Sequence, residues 1–112
     1  MQSTPIFKMT VIATAAISNN RFLGMLTGAH CAANAKAQGV ANFDAAAGEA
    51  VAVTVLGTEK VESGAAVNAG VAVKSDATGR AIAQAGAGEI TGYAVTPATA
   101  AGQLIEVLLA AP

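Results

Sequence analysis

His30 and Cys31 are the chain's single histidine and single cysteine, and they are neighbours. A thiol nucleophile needs its base within about 3 Å. Adjacent residues on a strand point to opposite faces, and on a loop nothing fixes their spacing. The pair is therefore read as a loop or core-edge pair. One His and one Cys also cannot fill the four positions of a structural zinc site. Asp44 with Glu49, and Glu59 with Glu62, offer paired carboxylates for acid and base work. Neither pair sits in a motif that would separate their pKa values, so both are read as solvated loop carboxylates. Gly86-Ala87-Gly88-Glu89 has the glycines of a phosphate cradle. It lacks the lysine ending of a P-loop, and it precedes a predicted strand where nucleotide loops precede a helix. The expectation is a chain that is not an enzyme, with no catalytic residues, no metal site and no cofactor.

The elements that could position any site must be built from an unusual composition. The chain has 112 residues, enough for one domain. Hydrophobic residues make up 54%, much of it Ala, while aromatics are only 4%. At about 25 cal/mol per Å² of buried apolar area, so light a core offsets little of the backbone ordering entropy. Self-association would add the missing area. Lys8, Arg21, Lys36, Lys60, Lys74 and Arg80 lie far apart and the formal net charge is -1, which argues against direct nucleic-acid binding. A lone cysteine excludes an intrachain disulfide and suits a reducing compartment. The N-terminus lacks the basic region of a signal peptide, and every apolar run is broken short of membrane length. The chain is expected to be soluble.

Apolar and β-branched segments alternate with Gly, Asn, Asp and Ser turns along the whole sequence, the pattern of a mainly β chain. Val51-Ala52-Val53-Thr54-Val55-Leu56 is the clearest strand, with Val51, Val53 and Val55 on one face and Gly57 as its end. In Leu104-Ile105-Glu106-Val107-Leu108-Leu109, Glu106 marks the outer face and Ile105, Val107 and Leu109 the inner one. Further strands are expected at residues 9–17, 21–26, 71–74, 80–83 and 90–96. Ser75-Asp76-Ala77-Thr78-Gly79 reads as a tight turn. The Ala-rich pieces end at Gly too soon for a helix. Phe22, Leu23, Met25 and Leu26 form a bulky apolar cluster assigned to the core, with a subunit interface as its other use.

Gly39-Val40-Ala41, the Ala-rich loop to Gly48 and Val51–Val55 are echoed by Gly92-Tyr93-Ala94, the loop to Gly102 and Ile105–Leu109. Residues 17–23 align more loosely with 67–73. The expected fold is a small single-domain β-barrel or sandwich built from two pseudo-repeats, about 16–57 and 66–110, in a domain spanning 10–112. Residues 1–9 are an extended N-terminal arm.

Taken in order, Gly39-Val40-Ala41, Asp44 through Val53, Val55-Leu56-Gly57, Gly64-Ala65-Ala66-Val67, Ala69 through Val73, Ser75-Asp76, Gly79-Arg80-Ala81, Gly92-Tyr93-Ala94 and Leu104 through Leu109 resemble the head decoration, or capsid cement, proteins of tailed bacteriophages. The resemblance covers most of the chain after Thr10 and rests on order and spacing. It implies a virion protein, made in the host cytoplasm, that sits on the outer surface of an expanded capsid as a homotrimer and stabilises contacts between major capsid protein subunits. It also implies an N-terminal arm that holds the capsid, which points to Gln2, Ser3, Thr4, Pro5, Ile6 and Phe7. Pro5 would keep that arm extended, and Phe7 would anchor it in a pocket. No direct nucleic-acid or membrane partner is expected. The alternative is a host-surface or carbohydrate-binding β module on the virion, against which stands the shortage of aromatics for stacking on sugars.

Overall fold

In the computed structural model, which describes residues 3–109, eight strands form a nearly closed, barrel-like antiparallel sheet in a single domain. They are β1 (Thr4–Ile12), β2 (Phe22–Gly24), β3 (Ala37–Ala41), β4 (Ala50–Glu62), β5 (Ala72–Ser75), β6 (Ala81–Ala83), β7 (Gly92–Ala94) and β8 (Leu104–Leu109). Their order is β2-β3-β4-β8-β7-β5-β6, with β1 beside β4. Among the described residues there is no helix.

β4 is the spine. Val51, Val53 and Val55 are buried as the alternation predicts, and the strand then continues through Gly57 to Glu62 instead of ending there. Gly57 has φ +102, and a Cβ on it would strike the carbonyl oxygen of Thr4. The glycine is a bend that lets β1 come close, not a stop. Beyond it β4 changes partner: Val40 and Ala41 of β3 pair with Thr54 and Val53, while β8 pairs from Thr58 to Glu62. Thr58 faces Leu108 on one side and Thr4 on the other.

The strand expected at residues 9–17 is displaced: β1 begins at Thr4 and ends at Ile12. It stops where Ala13 N–H turns to Glu49 O (2.9 Å) and Thr14 N–H to Gly28 O (2.8 Å). The strand expected at 21–26 shrinks to β2, because Met25-Leu26-Thr27 turn back. β3 had no counterpart among the expected strands. It carries Gly39 at its centre, yet it is fully buried, because only a glycine can lie against the Thr54 carbonyl. In β8, Ile105, Val107 and Leu109 are buried as expected.

Two sets of strands share one hydrogen-bonding pattern. Phe22 pairs Val40 and Val40 pairs Thr54; likewise Ala72 pairs Tyr93 and Tyr93 pairs Leu108. Ala41 N–H donates to Arg21 O as Ala94 N–H does to Val71 O, and Asn20 N–H to Ala41 O as Gly70 N–H does to Ala94 O. The bridges Ile17 to Ala45 and Val67 to Ala98 correspond. So do β1 on the first half of β4 and the second half of β4 on β8: Met9 faces Val53 as Glu59 faces Val107. The smaller core (Ala13, Ile17, Leu23, Ala41, Ala45, Val51, Val53) therefore matches members of the larger one (Val67, Val73, Ala94, Ala98, Ile105, Val107), which Phe22, Cys31, Ala37 and Val40 additionally cover.

Candidate interaction surface

The groups that could do chemistry do not converge. His30 Nε2 accepts a hydrogen bond from Ser18 N–H (2.9 Å), and burial with the nearby Arg21 charge holds its pKa below the ordinary value despite that contact. Cys31 is fully buried with its thiol directed at Ala35 O (3.4 Å), and burial pushes its pKa up. Asp44 accepts from Asn19 N–H (2.7 Å) and Glu49 from Ala46 N–H (2.7 Å), so each serves a separate loop. Glu59 and Glu62 are not loop carboxylates: both lie in β4, three positions apart and so on opposite faces. Glu59 is buried and takes hydrogen bonds from Thr54 Oγ1 (3.0 Å) and Asn42 Nδ2 (3.4 Å). Glu62 bridges Arg21 (3.4 Å) and Arg80 (3.3 Å). The Gly86–Glu89 stretch is a loop pinned by Gln84 Nε2 and Lys74 Nζ on its carbonyls. Among the described residues no cluster of three His, Cys, Asp or Glu could hold a metal, and no helix is long and apolar enough to cross a membrane.

What the surface does offer is apolar contact. Gln2 lies outside the described residues. Ser3 is exposed, and Thr4, Pro5, Ile6 and Phe7 form the start of β1, where Thr4 N–H donates to Thr58 Oγ1 (2.9 Å). These residues are extended but laid along β4. The register slips between Pro5 and Phe7 and again between Phe7 and Lys8, leaving Ile6 without a partner in the ladder and 78% exposed. Phe7, Met9 and Ile12 are exposed on the same strand, whose one charge is Lys8.

Beside β1 lies an open cleft of about 270 Å³, lined by Met9, Thr10, Val11, Ile12, Thr14, Leu26, Thr27, Gly28 and Gln38. Leu26 stands at its rim, 80% exposed and with φ +58. A left-handed Leu costs about 1–2 kcal/mol. Its N–H is held by Gln38 Oε1 (3.1 Å), whose amide nitrogen reaches Met9 Sδ (3.7 Å). The apolar cluster read in the sequence is thus divided: Phe22 and Leu23 are core, Met25 and Leu26 are surface.

A family model for phage cement proteins matches residues 1–109. The chain belongs to the phage cement protein family. No curated protein matches it. Among solved structures it is similar to the head fiber gp8.5 N base of bacteriophage phi29, with a TM-score of 0.78 at 24% identity over 93% of each chain. That likeness supports the fold. Membership of the family supports a structural, capsid-associated role in the virion for this cement protein. Of its surface features, sequence reasoning reached Ile6 and Phe7 and missed the cleft. Met9 and Ile12 carried a signal, being bulky residues on a strand with a thin core. Leu26 carried none, since nothing local marks it as left-handed.

Proposed function

We propose that this cement protein binds the outer surface of an expanded phage head, bridges neighbouring major capsid protein subunits, and acts as a homotrimer without catalysing any reaction. The observation that carries the reading is the start of the first strand: a short outward apolar series, Ile6 and Phe7, 78% and 49% exposed on the sheet. Such a series is unfavourable in water and gains roughly 1.5–3 kcal/mol per large side chain when a partner covers it fully. Many modest contacts repeated over a capsid lattice add by avidity, and binding to the expanded state alone stabilises that state by mass action. Scattered charge leaves the contact free of strong repulsion.

The test keeps β1 in place. Ile6→Asp and Phe7→Asp change side chains that are exposed in the free protein, so they spare the fold while placing a charge in the proposed contact. Purified variants are mixed with expanded heads that lack the protein and compared with the parent by sedimentation. Both should lose saturable binding. Variants that bind as tightly as the parent would remove Ile6 and Phe7 from the contact and take the arm out of the reading.

A further inference from the structure

The two corresponding sets of strands are not equally covered. The row Phe22, Val40 and Thr54 is buried at 0% exposure throughout. Its counterpart by register is Ala72, Tyr93 and Leu108. That row is open: Ala72 is half-buried, Tyr93 is 45% exposed and Leu108 48%.

Backbone contacts show the same asymmetry. Glu62 N–H donates to Asn20 O (2.8 Å) and Phe22 N–H donates to Gly79 O (2.7 Å), so residues 20–22 are clasped between Glu62 and Gly79. The counterpart of Glu62 is Ile12, since Ile12 faces Ala50 just before Ala13 N–H bonds Glu49 O, as Glu62 faces Leu104 before Ser63 N–H bonds Gln103 O. The counterpart of Gly79 is Leu26. Both are left-handed, and each stands two residues before a matching acceptor, Gly28 O for Thr14 N–H and Ala81 O for Gly64 N–H. Ile12 and Leu26 are the walls of the open cleft. The clasp that is filled in one half of the molecule is the cleft that stands open in the other.

We propose that this cleft receives residues 70–72 of a second copy of the chain, with Tyr93 and Leu108 of that copy closing over it. Residues 70–72 are the counterpart of 20–22: Gly70 N–H bonds Ala94 O as Asn20 N–H bonds Ala41 O, and Gln84 N–H bonds Ala72 O as Cys31 N–H bonds Phe22 O. In the contact, Leu26 O accepts from Ala72 N–H. Ile12 N–H donates to Gly70 O; it points away from β4 because the next amide, of Ala13, points toward Glu49 O. The residues that would touch are uncharged on both sides: the cleft lining holds no charged residue, and neither do Gly70, Val71, Ala72, Tyr93 and Leu108. Exposed Leu26, held in a strained conformation, gains a partner. The contact joins two different surfaces, so it is head-to-tail, and the homotrimer is the ring it forms where the rotation between copies closes after three. It deepens the self-association part of the proposed function and is independent of capsid binding.

The test uses two variants that each add one cysteine, Leu26→Cys and Ala72→Cys, mixed without capsids at roughly 1 mM, so that even a millimolar contact is populated. Cys31 is buried and stays out of the reaction. Under mild oxidation the mixture should give a disulfide-linked heterodimer at least about tenfold above either variant alone, and above Leu26→Cys mixed with Ala47→Cys, whose loop site is exposed elsewhere. Self-linking of Leu26→Cys as strong as the mixture would mean a two-fold contact and overturn the proposal. So would a mixture no better than the Ala47→Cys control. Failure here with head binding intact rejects this contact and leaves the capsid reading standing.

Discussion

Gly39 and Gly92 occupy the same place in two copies of one pattern: a Cβ on Gly39 would strike the Thr54 carbonyl, and a Cβ on Gly92 would come within 2.5 Å of the Leu108 carbonyl. Neither residue has a positive φ, so the glycines are required by close approach between strands and not by backbone conformation. Gly39→Ala and Gly92→Ala should each destabilise the fold by about 1–3 kcal/mol, the usual cost of overpacking. Thermal melts should fall by about 4–8 °C per kcal/mol. An unchanged melting temperature for both would contradict the shared geometry.

Glu62 ties the turn at residues 76–80 to β2 through Arg21 and Arg80, at 3.4 and 3.3 Å. These groups are about a quarter exposed, so solvent screens the pairs. Glu62→Gln should cost about 0.5–1.5 kcal/mol in urea unfolding, with the loss shrinking as salt is raised. A loss that ignores salt would assign the residue's contribution to packing.

His30 has a folded pKa below its ordinary 6.5, through burial and the Arg21 charge, and its Nε2 accepts the Ser18 N–H. Between the folded pKa and 6.5 the unfolded chain binds more protons than the folded one, so stability rises with pH across that window. Acidifying from pH 7 through the window should therefore destabilise the parent, and His30→Asn should flatten the response there. Asp76 acts at lower pH. Burial raises its pKa, but the amides of Arg80 and Thr78, the Thr78 hydroxyl and the Arg80 charge outweigh that and bring it below 3.8. Its contribution is present above 3.8 and is lost as pH falls through the folded pKa. Asp76→Asn should remove that second step.

Leu26 separates folding from association. Asn tolerates the left-handed region better than Leu, and the Leu26 side chain is mostly in solvent. Leu26→Asn should hold or raise stability by up to about 1 kcal/mol while weakening self-association, read by urea unfolding and analytical ultracentrifugation respectively. A variant that loses stability would show that Leu26 is packed in the monomer.

These positions mark what was legible in the sequence. The alternation in Val51–Val55 and Ile105–Leu109 names one buried face, and those residues are in the core because a period of two leaves one arrangement. Asp76 and Gly79 encode their turn locally. Gly57 and Thr4 do not: a glycine after a strand looks like a stop, and only the approach of Thr4, distant in sequence, makes it a bend inside a longer strand. Residues 37–41 have low strand propensity, and the backbone of Thr54 places them. Glu59 looked solvated because its partners Asn42 and Thr54 are brought to it by folding. The cleft was illegible for the same reason, since β1 and the turn at Leu26 meet only in three dimensions.

The role itself is tested by adding the intact protein to expanded heads that lack it, and in parallel to unexpanded ones, and measuring bound protein by sedimentation. Saturable, stoichiometric binding to the expanded heads alone, with those heads surviving higher temperature than bare ones, is the predicted result. Failure to bind expanded heads, or binding that leaves their stability unchanged, would contradict it.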